Sequence, residues 1–245
     1  MSSELLAKLQ PITGVIFDAF GTLVSIRKPA HPYRELLRIG ARQGRRSSAA
    51  DLRELMTQPM TLFAAAMELD IEVSQEEMQA LRDSLAGEIA SIEPYRDAQE
   101  AMSMLRDAGI KTAICSNLSL PYGPAVASLF PNIDTAIFSY AEGVMKPDAM
   151  IYQITCRRLG IAPGQYFAGP EGQIVMIGDS PKCDRDGPRS IGINGYLLNR
   201  SGGGQFNDLV QSLNRLSTGI MLEPAMLRLP FTMSGVPTND SVSRR

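Results

Sequence analysis

The chain has 245 residues, of which 44% are hydrophobic and 20% are charged, and its formal net charge at pH 7 is -2. This length and composition predict a soluble globular protein with a sizeable core, and the lack of a basic excess argues against nucleic-acid binding. Three widely spaced cysteines and no apolar run of membrane-spanning length predict a protein of the reducing cytoplasm (Cys115, Cys156 and Cys183).

The first elements along the chain are predicted to be a short helix and a buried strand. The opening residues, MSSELLAKLQP, indicate a helix that ends at Pro11, not a signal peptide. Residues 12–19 (ITGVIFDA) form a short apolar run that ends before Gly21, which is typical of a strand buried on both faces. We assign residues 11–26 to the first part of the core.

Residues 27–91 show helical patterns and no strand pattern. Ser74 and Glu77 have the spacing of a capping box at the start of one helix. In HPYRELLRIGARQGRR the arginines lie opposite the apolar side of the helix (Arg34, Arg38, Arg42 and Arg45). This arrangement predicts a solvated helix face. The alternative is that one or two arginines between Arg34 and Arg46 reach a substrate carboxylate or phosphate.

Strand and helix then alternate along residues 92–222. Apolar runs predict strands, and amphipathic stretches between them predict helices (strands at 111–116, 134–140, 173–179 and 195–200; helices at 96–108, 121–129, 148–159 and after Ser180). This alternation predicts an α/β fold, with a Rossmann-like parallel sheet between two helix layers and a helical insertion after the first strand. Residues 223–245 have no regular period and are predicted to be a C-terminal tail.

Polar side chains occupy four strand ends or the loops that follow them. They are Asp18 with Thr22, Ser116 with Asn117, Lys146 with Pro147, and Asp179 with Asp184. In parallel α/β sheets the ligand lies beyond the carboxyl ends of the strands, so these side chains are predicted to form one site. Each pair taken by itself also fits an ordinary turn, loop or helix cap.

The local sequences and their order resemble the haloacid dehalogenase superfamily of hydrolases. FDAFGTL, AICSN, GVMKPDAMIY and VMIGDSPKCD are similar to its four motifs, and the likeness runs from about residue 12 to residue 200. Residues 27–91 fall where the subfamily with a small helical cap carries that cap. The resemblance therefore implies a three-layer core with an inserted helical cap domain, and hydrolysis through an aspartate nucleophile.

The resemblance also implies roles for the strand-end residues. Asp18 would be the nucleophile that forms a covalent ester with the substrate. Thr22, Ser116 and Asn117 would bind the substrate, with Thr22 and Ser116 hydrogen-bonding the nucleophile and the anionic oxygens. Ser116 would also take part in catalysis, together with Lys146, whose positive charge offsets charge that develops in the transition state.

A magnesium site is part of the same expectation. Asp18, the backbone carbonyl of Phe20 and Asp179 would surround one Mg²⁺, an ion that takes few carboxylates and keeps several waters. Asp184 would share in holding the ion or Lys146. The expected partner is a small anionic substrate, with neither nucleic acid nor membrane, for a protein that is a monomer or a homodimer.

Phe20 departs from the pattern of the family's phosphatases. Those enzymes usually carry a second Asp here, which protonates the leaving group and helps to activate water. The family's 2-haloacid dehalogenases carry an aromatic residue instead, but they lack the acidic pair of GDSPKCD and need no metal. The sequence predicts a Mg²⁺-dependent hydrolase of a small phosphate ester or acyl phosphate. The alternatives are a metal-independent 2-haloacid dehalogenase and a catalytically impaired binding module.

Overall fold

The computed structural model describes residues 12–163 and 173–217 of the chain. The helix predicted for the opening residues and the tail predicted for residues 223–245 lie outside these ranges. The strands are β1 (Ile12–Phe17), β2 (Val24–Ile26), β3 (Ile92–Pro94), β4 (Lys111–Ser116), β5 (Thr135–Phe138), β6 (Gln173–Gly178) and β7 (Asn194–Leu197). Five of them form a parallel sheet in the order β5-β4-β1-β6-β7.

Strand β1 is the centre of this sheet. Val15 pairs with Thr112 of β4 on one side and with Val175 of β6 on the other. Val15 and Ile16 are fully buried and point to opposite faces, as expected for a strand covered on both sides. The residue that follows β1, Asp18, therefore emerges in the middle of the carboxyl edge of the sheet.

Helices cover both faces of the sheet. They are α1 (Pro32–Arg42), α2 (Ala49–Thr57), α3 (Leu62–Glu68), α4 (Gln75–Ile89), α5 (Arg96–Asp107), α6 (Tyr122–Leu129), α7 (Ser139–Glu142), α8 (Ala149–Leu159), α9 (Gly187–Arg189) and α10 (Leu209–Ser217). Helices α5, α6 and α10 pack on one face and α8 on the other, so the predicted three-layer α/β fold is confirmed. Among the helices of the described ranges, none has the length and apolar character that crossing a membrane requires.

Three local predictions need correction. The strand predicted for residues 134–140 ends at Phe138, because the buried hydroxyl of Ser139 bonds the backbone of Leu118 and Ser139 begins α7. The segment after Ser180 begins with a π-helical turn (Pro181–Asp186) instead of a regular helix. The strand predicted for residues 195–200 is β7, which spans Asn194–Leu197. In addition, helix α10 was not predicted.

Residues 27–91 form helices α1 to α4 around a hydrophobic cluster of their own. Its buried members come from all four helices and from the turn before α4 (Leu36, Ile39, Leu55, Leu62, Ala65, Ala66, Leu69, Ile71, Met78 and Leu81). The capping box predicted at the start of α4 is present, since Ser74 and Glu77 bond each other's backbone amides. We call residues 27–91 the helical segment.

The helical segment joins the core through a two-stranded antiparallel ribbon. Strand β2 leads into it and β3 leads out, with Val24 paired to Pro94 and Ile26 paired to Ile92. Helix α2 contacts α7, which directly follows β5 at the carboxyl edge. The segment therefore lies at the edge of the sheet where Asp18 emerges. The domain boundaries given above remain predictions.

Candidate active site

Three residues from separate parts of the core meet at the carboxyl edge of the sheet. Asp18 follows β1, Ser116 ends β4, and Lys146 lies in the loop between α7 and α8. The Ser116 hydroxyl donates to Asp18 Oδ1 at 2.9 Å, and Lys146 Nζ donates to the same oxygen at 2.7 Å. All three residues are buried, so these bonds act with little competition from water.

Lys146 lies between two carboxylates. Its ammonium also donates to Asp184 Oδ1 at 2.6 Å, and Asp184 is completely buried. Burial lowers the pKa of Lys146, but the charges of Asp18 and Asp184 outweigh it and raise the pKa well above its ordinary value. Lys146 is therefore positively charged at neutral pH.

Asp184 is held by the π-helical turn that follows β6. The backbone amide of Ser180 donates to Asp184 Oδ2 at 2.9 Å, and the Tyr152 hydroxyl donates to the Cys183 carbonyl at 2.5 Å. Burial is the main cause that raises the pKa of Asp184 to about 6, with the charge of Asp18 adding to it and that of Lys146 opposing it. The raised pKa shows that burial and the nearby negative charge of Asp18 disfavour the ionised form of Asp184.

Asp179 completes a group of three carboxylates. Oxygen atoms of Asp18, Asp179 and Asp184 lie within 4.8 Å of one another. Asp179 is the member of the group that is exposed to solvent. Its carboxylate has lost part of its water, and this loss together with the charge of Asp18 raises the pKa of Asp179. Within the described ranges, Lys146 is the cation that hydrogen-bonds to this group, and it offsets one of the three negative charges.

Two glycines let the carboxylates approach the backbone. Gly21 has a φ of +78°, and a Cβ at this position would collide with the Asp179 carboxylate. A Cβ at Gly178 would collide with Asp184 in the same way. Any larger residue at either position would displace one carboxylate, so the sequence keeps these oxygens close together.

Two predicted substrate-binding residues have different surroundings. The Asn117 amide is engaged at both ends, since Nδ2 donates to the Lys146 carbonyl at 2.9 Å and Oδ1 accepts from the Lys146 amide at 2.8 Å. In this structure Asn117 positions the backbone of Lys146. Thr22 is fully buried, and its hydroxyl has no hydrogen-bond partner among the residues that the structure describes. Substrate contacts of both side chains stay predictions.

Phe20 lies half-buried at the position where the family's phosphatases usually carry their second Asp. Its ring packs against that of Tyr122, with centroids 6.0 Å apart and planes at 90°. A phenyl ring offers no proton, so this position supplies neither an acid nor a base. The predicted role of the Phe20 carbonyl as a metal ligand stays a prediction.

Arg200 was missed as a site residue when the sequence was considered alone. Its guanidinium donates to the carbonyls of Gly21 at 3.2 Å and Thr22 at 2.5 Å, and to both carboxylate oxygens of Asp97 at 3.0 Å. It also lies 3.7 Å from the ring centroid of Tyr95. Arg200 therefore fixes the loop that follows Asp18. Arg200 follows β7 closely in the sequence, so it lies at the same edge of the sheet as the four polar clusters. This position could have identified it as a candidate site residue.

Most arginines between Arg34 and Arg46 have partners within the helical segment. Arg38 pairs with Glu35 at 3.0 Å, while Arg42 pairs with Glu35 and Glu77 at 3.3 and 3.4 Å. Arg45 binds the two carboxylate oxygens of Asp51 at 2.7 and 2.9 Å. The pairs of Arg38 and Arg42 agree with the expected solvated face of α1, on which Arg34 is also exposed. Arg45 does not belong to that face, because it follows the end of α1 and is half-buried against Asp51.

Comparison with known proteins adds to this geometry. A family model described as haloacid dehalogenase-like hydrolase matches residues 12–192. (S)-2-haloacid dehalogenase 4A of Burkholderia cepacia is 26% identical over 226 residues, which cover 82% of this chain and 90% of the relative. A HAD phosphatase from Thermococcus onnurineus aligns with a TM-score of 0.57 at 22% identity, over 83% of this chain and 97% of its own.

A third protein is a HAD family enzyme from Bacteroides thetaiotaomicron, solved in complex with magnesium and inorganic phosphate. It aligns with a TM-score of 0.55 at 14% identity, over 78% of this chain and 96% of its own. At these identities the two solved structures show that the fold is shared.

Proposed function

Because the chain belongs to the haloacid dehalogenase-like hydrolases, we propose that it is a Mg²⁺-dependent hydrolase of a small phosphorylated molecule. The main support for this proposal is the balance of charges at the carboxyl edge of the sheet. Asp18, Asp179 and Asp184 bring three carboxylates within 4.8 Å, and Lys146 offsets one of them. The remaining negative charge matches one divalent cation with oxygen ligands.

The proposed nucleophile is the Asp18 carboxylate. Ser116 and Lys146 both donate to Oδ1, which leaves Oδ2 to attack the substrate phosphorus. A new O–P bond forms as the bond to the leaving group breaks, and the resulting aspartyl phosphate is then hydrolysed by water. The positive charge of Lys146 stabilises the negative charge that the attack places near Asp18.

The donor set fits a bound Mg²⁺. We assign Asp18, Asp179 and the Phe20 carbonyl to the ion, with Asp184 either beside it or holding Lys146. When bound, the ion supplies positive charge to the phosphoryl group. The Thr22 hydroxyl, buried and unpartnered within the described ranges, is assigned to an anionic oxygen of the substrate, since an unpaired buried hydroxyl is costly.

Phe20 narrows the class of substrate. Because this position cannot donate a proton, the leaving group must depart as a stable anion. An acyl phosphate meets that requirement since its leaving group is a carboxylate. An alkyl phosphate does not, because an alkoxide is a strong base that needs a proton. The proposed substrate is therefore a small acyl phosphate or an ester with a similarly good leaving group.

A second candidate function is metal-independent 2-haloacid dehalogenation. Two observations favour it: the aromatic ring of Phe20 and the likeness to (S)-2-haloacid dehalogenase 4A. Asp18 would then attack the carbon that bears the halogen, the halide would leave without a proton, and water would hydrolyse the ester. The crowded carboxylates favour the first candidate because a halide reaction has no need for Asp179.

The test compares wild type with Phe20→Asp on acetyl phosphate and on an alkyl phosphate, each with and without a chelator. We expect wild type to prefer acetyl phosphate. Phe20→Asp should raise alkyl phosphate hydrolysis by about tenfold or more, because the added carboxyl can protonate the leaving oxygen. Asp18→Asn is the matched control and should abolish turnover. Asp179→Asn should lose most of the Mg²⁺ affinity that calorimetry measures for wild type.

Two results would contradict the first candidate. Release of chloride from 2-chloropropionate by wild type in the presence of chelator would establish the dehalogenase instead. No turnover of any of the three substrates by wild type or Phe20→Asp would indicate an impaired binding module.

A further inference from the structure

Glu88 is a buried carboxylate in the last turn of α4, far along the chain from the site residues. It is 3% exposed. Its Oε2 accepts hydrogen bonds from the backbone amides of Ala30 and of His31, the latter at 2.6 Å. Its Oε1 accepts a hydrogen bond from the Tyr122 hydroxyl at 2.7 Å. Three donors thus meet on one carboxylate beside the ribbon that joins the helical segment to the core.

These donors come from different parts of the molecule. Ala30 and His31 belong to the linker at residues 27–31, which begins the helical segment between β2 and α1, whereas Tyr122 is the first residue of core helix α6. Burial raises the pKa of Glu88, but the hydrogen bonds from Tyr122, His31 and Ala30 outweigh it and hold the pKa below its ordinary value. Glu88 is therefore charged at neutral pH, and its bond to Tyr122 connects the helical segment to the core.

The ring of Tyr122 extends this connection to the active site. It meets the ring of Phe20 edge to face at 6.0 Å, and the ring of Tyr33 from α1 lies 6.4 Å away on the side of the helical segment. Phe20 is two residues after the nucleophile Asp18. Tyr122 thus contacts Phe20 with its ring and Glu88, near the end of the helical segment, with its hydroxyl.

We propose that Tyr122 is a positioning residue that couples the placement of the helical segment to the placement of Phe20 beside Asp18. The Tyr122–Glu88 hydrogen bond holds the helical segment at the carboxyl edge of the sheet. The edge-on contact holds the Phe20 ring against the core. The effect on turnover rests on the proposed function, but the connection between the helical segment and the core does not.

The matched pair of variants is Tyr122→Phe and Tyr33→Phe. Tyr122→Phe keeps the aromatic contact with Phe20 and removes the bond to Glu88. Tyr33→Phe also removes one tyrosine hydroxyl from the same cluster, but that hydroxyl donates to the Met60 carbonyl within the helical segment. Both variants keep the ring and its packing, so both are expected to fold.

The first readout is hydrogen–deuterium exchange of the linker amides at residues 27–31, which needs no substrate. Tyr122→Phe should accelerate exchange there by about fivefold, as expected when one ordinary hydrogen bond is lost from a local opening equilibrium. Exchange in strand β1 should not change. Tyr33→Phe should leave the linker at its wild-type rate. Unchanged linker exchange in Tyr122→Phe, or an equal increase in Tyr33→Phe, would overturn the proposal.

The second readout is the steady-state kinetics with acetyl phosphate. Tyr122→Phe should raise KM, by at most about fivefold, and change kcat less than about twofold, because apparent affinity falls with the fraction of molecules in the competent arrangement. A fall in kcat at constant KM would contradict this role. If wild type does not hydrolyse acetyl phosphate, the proposed function fails while the exchange experiment still decides the coupling.

Discussion

Lys146 in the core and Arg42 in the helical segment each contact two carboxylates, at 2.6 to 2.7 Å and at 3.3 to 3.4 Å respectively. The Lys146 side chain is 2% exposed and the Arg42 side chain is 59% exposed. Water competes with the pairs of Arg42 and makes them weak, whereas the charges around Lys146 have lost their water and depend on one another. A buried cluster of this kind is costly to assemble, which agrees with the catalytic role proposed for Lys146.

Among the substitutions that test this contrast, Lys146→Met should lower the free energy of unfolding the most. It leaves Asp18 and Asp184 buried without their counter-charge, and we expect a loss of about 3–5 kcal/mol in the free energy of unfolding. Urea denaturation measures this loss, and turnover should be abolished as well. A stable and active Lys146→Met protein would show that the buried cluster is neither fragile nor catalytic.

The double variant Lys146→Met/Asp184→Asn separates stability from catalysis. Removing the charge of Asp184 should restore part of the lost stability, because one buried carboxylate no longer needs a partner. Activity should stay lost, since the group that offsets charge at Asp18 is still missing. Recovery of activity together with stability would mean that Lys146 acts only on the fold.

Asp51→Asn in the helical segment should lower the free energy of unfolding by an intermediate amount. Arg45 and the Ser48 amide bond the Asp51 carboxylate and hold its pKa well below the usual range. We expect a loss of about 1.5–3 kcal/mol at pH 7, the range for hydrogen bonds to charged groups. Urea denaturation of both proteins as a function of pH measures the loss.

The sign of the pH dependence follows from the lowered pKa of Asp51. The advantage of wild type should be complete well above the ordinary Asp value of about 3.9 and should shrink as the pH falls below it. A difference that stays constant down to strongly acidic pH would show that the charge of Asp51 is not its source.

Arg42→Met should have the smallest effect. Its pairs with Glu35 and Glu77 are exposed, so we expect the free energy of unfolding to change by less than about 0.5 kcal/mol. Hydrolysis should be unchanged if the arginine face is solvated. A KM increase of tenfold or more would show instead that Arg42 reaches the substrate, which is the alternative that the sequence left open.

The sequence could predict the sheet and the edge at which the polar clusters lie. Asp18 and Ser116 each end an apolar run, and the length and composition of such runs are local properties that can be read without a structure. Parallel strands bring their carboxyl ends to one edge, so the meeting of these residues also followed.

Partners that depend on packing could not be predicted in this way. Lys146 lies 128 positions from Asp18, and no local pattern indicates that its ammonium lies between Asp18 and Asp184. Only the resemblance to the family implied that Asp184 could hold Lys146. The same holds for Asn117, whose amide bonds the backbone of Lys146 across 29 positions. Strands β2 and β3 have three residues each, too few to show a period of two.

The β2–β3 ribbon brings the two ends of the helical segment together. Ile26 and Ile92 are paired across it, so the chain leaves and re-enters the core at neighbouring points, about 5 Å apart. A stretch whose ends meet can be lengthened, shortened or replaced without moving the strands on either side. The same sheet, with Lys146 between Asp18 and Asp184, is therefore compatible with many different insertions at this point. We expect residues 27–91 to be one interchangeable part, in which substrate selection can change while the chemistry proposed for Asp18 is left as it is.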